Sequence, residues 1–356
     1  MTNAVNIAQS GSNNVTFRNK IINGACVIDQ RNAGASITAV STGYTYPVDR
    51  FSIYGSVSSK FTAQQNAGSV TPPAGFINYL GITSSSAYSV PAGELYLLRQ
   101  VIEGLNITDL GWGTANAQTV TLSFWVRSSL TGTFGGSLRN SAADRSYPFS
   151  YTISSANTWE QKSITVAGDT SGTWLTTNGT GIALFFSLGS GSTFSGTAGA
   201  WAAADYRSAT GAVSVVGTNG ATFYITGVQL EAGTTASPFE YRQYGTELAL
   251  CQRYYWRTQA GTYEAFGSGM VPSATQANFY VRHPVYMRAV PTFSIIGTIY
   301  AYSNSNQTVS GIAATYAGLG ATRLDLSIPS GSITTGYGVL GFVETNGGGL
   351  AATAEL

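Results

Sequence analysis

Chemistry in this chain would have to come from one histidine, sixteen acids, two cysteines and a scatter of aromatic residues in polar loops. His283 sits in "VRHPVYM", a strand-like run that meets Pro284, and no Gly-X-Ser-X-Gly elbow leading into a helix accompanies it. It reads as a structural or surface histidine. A glycosidase needs two carboxylates flanking a cleft, and Asp144, Asp169, Asp205 and Glu160 are the candidates, but spacing along a sequence does not give their separation. Gly-rich pieces such as "GSGSTFSG" lack the lysine and helix start of a phosphate loop and read as turns. Cys26 and Cys251 beside a lone histidine fall short of a four-ligand zinc site, and two cysteines make no disulfide scaffold, so free buried thiols are expected. No residue is assigned a catalytic or metal-binding role, and the expectation is a protein that is not an enzyme.

Binding is better supplied than catalysis. Neutral sugars are held by stacking on aromatic faces together with hydrogen bonds from amides and hydroxyls, and this chain is rich in both. Trp125 and Trp159 lie in or beside strand-like runs and read as packing residues. Trp112 ("LGWGTAN"), Trp174 ("SGTWLTTNG") and Trp201 with Tyr206 ("GAWAAADYRS") lie in Gly/Ser/Thr/Asn loops. A large ring in such a loop is either a loop anchor or a ligand platform, and these four are the glycan-binding candidates.

The elements that must position them are strands. Of 356 residues only 9% are charged, whereas 43 are glycine and 37 are tyrosine or phenylalanine, a β-protein composition with ample apolar content for a core. The formal charge of +1, with no run of Lys or Arg, offers no counterion-release route to nucleic acid and no polybasic route to an anionic membrane. No stretch approaches the roughly 20 apolar residues of a spanning helix, and Met1 to Asn14 lacks the basic and apolar regions of a secretion signal, so a soluble chain is expected. Apolar residues recur at spacing two in short runs bounded by Gly, Ser, Asn and Pro. The clearest strands are Val120 to Val126, Gln161 to Val166, Ile182 to Leu188 and Phe223 to Leu230, with "LYLLRQVIEGL" from Leu95 as a further candidate. In "FYITGVQLEAG", Tyr224, Val228 and Leu230 are assigned to one face and Thr226 and Gln229 to the other, a half-buried strand suited to sealing a sheet edge. Only Thr246 to Trp256 shows helical spacing. Glu231, Glu240, Arg242 and Arg253 cluster in sequence, and ion pairs pinning the exit segment are the expectation there.

The resulting expectation is all-β: a jelly-roll sandwich over 21–245, a connector with a short helix at 246–257, a smaller C-terminal β-sandwich over 258–356, and an extended polar arm at 1–20. No internal repeat of 20 to 50 residues points to a propeller, β-helix or solenoid.

A resemblance supports this division. "KIINGACVIDQRN", "YPVDRF", "VTLSFWVRSS", "TWEQKSITV", "ALFFSLGSGSTFSGTAGAW", "FYITGVQLEAGTTASPFEYRQYGTELALCQRYY" and the ending "TAEL", in this order, resemble tail-fibre and other surface-fibre proteins of bacteriophages and prophages. The resemblance implies a carbohydrate-binding-module-like jelly roll whose last strand is "FYITGVQLEAG", and a distal C-terminal domain. Jelly rolls of this kind sometimes hold a structural calcium, but Asp29 stands alone where the acidic ligands would gather. The family further implies a virion structural protein assembled in the bacterial cytoplasm. Its arm would dock on other virion proteins, its displayed domains would bind host cell-surface glycans weakly and many times over, and a homotrimer would fit a symmetric socket. The alternative is a capsid-decoration or structural tail component that mediates protein contacts without recognising sugar. Depolymerase activity ranks behind both for want of a visible site.

Overall fold

In the computed structural model of the chain, the described residues are 17–258, 262–303, 305–329, 333–344 and 347–356. They form two compact units that divide between Arg242 and Gln243. The first unit is a jelly-roll sandwich of two six-stranded antiparallel sheets. One sheet runs, in spatial order, β1 (Ile37–Thr38), β4 (Phe61–Gln65), β5 (Leu80–Ser84), β14 (Thr222–Ala232), β7 (Val120–Ser128) and β10 (Glu160–Val166). The other runs β2 (Thr45–Val48), β3 (Phe51–Gly55), β6 (Leu95–Glu103), β11 (Thr180–Ser190), β8 (Gly132–Arg139) and β9 (Ser146–Ile153). Alternation along β7 sends Val120, Leu122, Phe124 and Val126 inward, and β11 answers with Ile182, Leu184, Phe186 and Leu188. Phe124 and Phe186 meet edge to face at 5.0 Å between centroids, joining the two sheets at mid-core.

β14 departs from its expected place. It lies inside its sheet, with β7 along one side and β5 along part of the other. Its pairing with β7 slips between Thr226 and Gln229, a β-bulge at Gly227, whose φ of 61° a side chain rarely adopts and whose missing Cβ makes room for Phe76 and Trp125. The bulge shifts the side-chain parity. Phe223, Ile225, Val228 and Leu230 all enter the core, whereas Tyr224 turns to the outer face to pack with Tyr79.

Where β5 no longer covers β14, the incoming chain does. Lys20 donates its backbone N–H to the Leu230 carbonyl at 2.8 Å, and Asn19, itself buried, bonds Leu230 and Val228. Glu240 accepts from the backbone N–H groups of Arg18 and Asn19 at 3.2 and 3.0 Å, while Arg242 donates to the carbonyls of Asn19 and Ile21 and pairs with Glu240. Arg18 also lies 3.5 Å from Glu231. The acid–arginine cluster thus clamps the incoming chain to the outgoing one. Residues 1–16 of the expected arm lie outside the described residues, and residues 18–20 are an integral part of the sandwich.

The second unit carries helix α1 (Tyr244–Gln252), which begins two residues earlier than its spacing indicates. Tyr255–Arg257, placed in the connector by sequence, is instead a strand, β15, of a three-stranded sheet ordered β15, β24 (Gly349–Thr353), β18 (Thr292–Ile296). A seven-stranded sheet completes the unit in the order β20 (Asn306–Thr308), β19 (Ile299–Tyr302), β23 (Gly338–Val343), β16 (Ala265–Ser273), β17 (Gln276–Arg282), β22 (Ala321–Ser327), β21 (Gly311–Ala317). Phe279, Leu324 and Leu326 from the larger sheet share one core with Phe293, Leu350 and Trp256. Arg253 belongs to this unit and donates to the Tyr286 carbonyl, apart from the clamp. No helix among the described residues is long and apolar enough to cross a membrane.

Both cysteines are buried free thiols. Burial pushes the Cys26 thiol up to about 12, against a weaker pull downward from the Leu80 backbone. Thiolate is the reactive form, so native protein at pH 8 should take up no thiol-directed reagent within minutes, and both cysteines should label once it is unfolded. Rapid labelling of Cys26 in native protein would contradict its burial.

Candidate functional site

The loop tryptophans converge. Trp112 precedes β7, Trp174 lies between β10 and β11, and Trp201 lies in the excursion that carries β12 (Ser195–Gly196) and β13 (Ser208–Ala209). Their ring centroids stand 4.7, 5.4 and 5.4 Å apart, each pair edge to face. Each indole N–H is bound to a backbone carbonyl: Trp112 to Gln118, Trp174 to Ser171 and Trp201 to Ala167. Trp112 and Trp174 are only 5% and 6% exposed, so they serve as loop anchors and offer no face to a ligand; Trp201 is half-buried against them. Arg145 grips buried Asp169 with two bonds of 2.8 and 2.7 Å beside this trio. Tyr206 lays its ring over Gly196, where a Cβ would sit 2.2 Å from it.

The neighbours of Tyr206 lead to a different surface. Asp205 accepts from Arg207 Nε and Nη2 at 3.0 and 2.8 Å and from Arg139 Nη1 at 2.7 Å. Burial raises the Asp205 carboxyl, but the two guanidinium groups outweigh it and hold the carboxyl below the usual range. Both guanidinium groups stand over Phe185, at 5.3 Å for Arg139 and 5.5 Å for Arg207, and Arg207 also faces Phe194 at 5.4 Å. Phe185 projects from β11 on the face opposite the core, since its neighbours Leu184 and Phe186 point inward. In register across the sheet, Ser52 of β3 opposes Arg99 of β6, which opposes Phe185, which opposes Ser137 of β8. Arg99 lies 3.4 Å from the Tyr44 ring centroid, and Tyr44 is 5.4 Å from Tyr54. Desolvation lowers the Arg99 guanidinium, with Tyr44 and Tyr46 opposing that shift and Arg139 adding to it as a like charge.

The outer face of the second sheet therefore carries a strip of alternating aromatic rings and guanidinium groups. Tyr44 and Tyr54 border it on the β2–β3 side, and the β12–β13 excursion, tied down by paired backbone bonds between Ser146 and Ala202, borders it on the other. Sequence reasoning reached Tyr206 and Asp205 but missed Arg99, Arg139 and Phe185, which lie on different strands and meet only through register. Phe185 and Arg99 are buried within the strip, at 0% and 8% exposure, so it is the partly exposed Tyr44, Tyr54, Arg139 and Arg207 that can offer ring surface and N–H donors to a ligand with hydroxyls or an anionic group.

The four acids considered for glycoside cleavage each hold a structural partner. Asp169 binds Arg145, Asp205 binds Arg139 and Arg207, Glu160 binds Lys162, and Asp144 accepts from Asn140. Lys162 foremost holds Glu160 below the ordinary range, so neither Glu160 nor Asp205 has the raised value of a general acid. Among the described residues no group of three His, Cys, Asp or Glu side chains gathers as metal ligands. Asp29 turns its carboxylate onto the backbone N–H groups of Asn32 and Gly34, closing a turn, which does not fit a calcium ligand set.

His283 is buried between Trp256 and Phe293, with Nδ1 on the Leu319 carbonyl and Nε2 on the Thr322 hydroxyl. Burial lowers its value, partly opposed by Leu319. A folded-state value below the unfolded one makes its contribution complete above about pH 6.5 and lost as pH falls through the lowered value. The melting temperature of the second unit should drop between pH 7 and 5, and His283→Phe should flatten that drop; an unchanged slope would remove His283 as the cause.

No protein-family profile matches this chain, and no curated protein matches it. Among solved structures it is similar to the enzymatically active domain of tailspike protein 4 of bacteriophage CBA120, with 14% identity over 61% of this chain and 22% of that one, at a TM-score of 0.31. It is also similar to the carbohydrate-binding module TmCBM61 in complex with beta-1,4-galactotriose, with 11% identity over 61% and 99% of the two chains and a TM-score of 0.29. A family 11 carbohydrate-binding module from Clostridium thermocellum, in complex with a mixed-linked tetrasaccharide, gives 8% identity over 58% and 100% and a TM-score of 0.27. The chain spans about a fifth of the length of the tailspike it matches, 22%.

Proposed function

We propose that this protein is a bacteriophage fibre or spike component that binds host surface glycans through the outer face of the second sheet of its sandwich, acting by recognition and not by cleavage. The observation that carries the reading is the strip in which Tyr44, Arg99, Phe185, Arg139 and Arg207 follow one another across that sheet. Sugar rings stack on aromatic faces while guanidinium and phenol groups bond their hydroxyls. Its virion setting rests on the sequence resemblance, and weak single sites repeated in an oligomer would supply avidity. A glycan array with the purified protein tests it: Tyr44→Ala and Arg207→Ala should each lose at least ten-fold in signal, whereas Tyr316→Ala in the second unit should not. Equal signals for all of them would reject the site.

A second reading has its own observation. Met270, Tyr280, Tyr302 and Leu340 stand outward from the seven-stranded sheet, and Tyr280, Tyr286 and Tyr316 are 68%, 74% and 79% exposed. Such a face suits protein contacts, as in a decoration or structural tail component or about a trimer axis. Mass photometry of the intact chain, with Tyr280→Glu as the perturbation, separates a trimer from a monomer.

A further inference from the structure

At the edge of the strip, Arg139 and Arg207 carry more positive charge and more N–H donors than Asp205, the acceptor they share, uses. A guanidinium has five N–H donors. Arg139 spends one of them on Asp205 and Arg207 spends two, both through the edge formed by Nε and Nη2. The Nε of Arg139 is shut off from solvent and has no hydrogen-bond partner, so the donors this guanidinium leaves for a ligand are those of its Nη atoms. Asp205 is a single carboxylate shared by two cations, and Arg99 lies close enough to Arg139 for their like charges to act on each other. The other charges nearby do not redress this. Arg31, stacked on Tyr46, has its own partner in Asp49, and Glu103 lies four residues beyond Arg99 on β6, roughly 13 Å along the strand.

The arrangement also indicates which anion fits. Arg207 already holds the flat Asp205 carboxylate edge-on through two parallel N–H bonds, and the same fork geometry serves a carboxylate arriving from solvent. The two guanidinium groups lie over buried Phe185 and are themselves largely buried, so their attraction for an anion is less screened than on an open surface. Tyr44 and Tyr54 at the opposite border supply ring surface and hydroxyls for the uncharged remainder of a sugar.

We infer that this site selects acidic saccharides, the carboxylate of a uronic or nonulosonic acid residue docking on the donors of Arg139 and Arg207 that Asp205 leaves open. This rests on the glycan-binding reading above and adds the class of ligand. A polymer of neutral hexoses would satisfy the rings but not the cations.

The test uses the full chain and a panel of polygalacturonate, alginate and polysialic acid, each beside its carboxyl-reduced form in which the acid has become a primary alcohol. Dextran sulfate and dextran complete the set. We expect at least one carboxylated polymer to bind ten-fold or more tightly than its reduced partner, with affinity falling as NaCl rises from 50 to 500 mM. Arg207→Gln and Arg139→Gln should abolish the preference. Asp205→Asn should leave binding intact or tighten it, because it removes the competing carboxylate, a sign that a purely structural role for this trio would not give. Circular dichroism and melting of each variant guard against loss of fold. Equal binding of acid and reduced forms would overturn the acidic preference and leave the glycan site standing, and dextran sulfate binding as tightly as the best polyuronate would overturn the choice of carboxylate. No binding to any polymer would overturn both.

Discussion

Trp174→Ala should lower the unfolding free energy of the sandwich by about 3–5 kcal/mol, the cost typical of deleting a buried tryptophan. The loss has three sources. Trp174 fills the space between Trp112 and Trp201 at centroid distances of 4.7 and 5.4 Å, so its removal strips packing from both neighbours and opens a cavity that three loops would have to collapse to fill. Edge-to-face pairing adds about 0.5–1.5 kcal/mol per pair beyond burial. Its Nε1 bond to Ser171 closes its own loop, and Trp174→Phe, which keeps a ring but loses that bond, should cost about 1–3 kcal/mol. Urea denaturation followed by far-ultraviolet circular dichroism measures both. A midpoint for Trp174→Ala within experimental scatter of the parent would mean that the rings do not act as one anchor. Glycan binding by refolded Trp174→Ala below its melting temperature should be unchanged, since the strip of Arg99, Phe185 and Arg207 does not include this ring.

Arg242→Ala should cost a similar amount, about 3–5 kcal/mol, by leaving a buried acid without its cation. Arg242 and Glu240 have side chains only 7% and 12% exposed. Removing the guanidinium strands Glu240 and takes the donor from the carbonyls of Asn19 and Ile21 at once. The double variant with Glu240→Gln should be less damaged than the sum of the two single changes, because the second change removes the stranded charge. Hydrogen exchange at the amides of 18–22 reads the same event locally and should accelerate before the rest of the sandwich opens. Additive effects and undisturbed exchange at these amides would show that the clamp contributes little.

Much of the fold was legible because a strand with one buried face writes alternation into its sequence. β7, β10 and β11 fall where Val120 to Val126, Gln161 to Val166 and Ile182 to Leu188 place them, extended by a few residues. β6 was harder to read because "LYLLRQVIE" is buried on both faces, so Arg99 shows no periodic reason to be where it is. The parity of β14 was misread because a single inserted residue at Gly227 exchanges the faces beyond it. Tryptophan identity and loop context located the ring cluster, but context alone could not separate anchor from platform; that depends on three loops meeting at one end of the sandwich. The cationic strip was the least legible, since Arg99, Arg139 and Arg207 are 40 and 68 positions apart in turn and are brought together only by strand order.

The clamp between Arg18–Lys20 and Pro238–Arg242 also sets how the module carries force. A chain under tension passes into the sandwich and out of it at neighbouring points, so a pull between its flanking segments is borne by this short stretch of bonds and never crosses the twelve strands between. Under such a pull the clamp would part first, as a fuse does, lengthening the tether and leaving the second sheet unloaded and in shape.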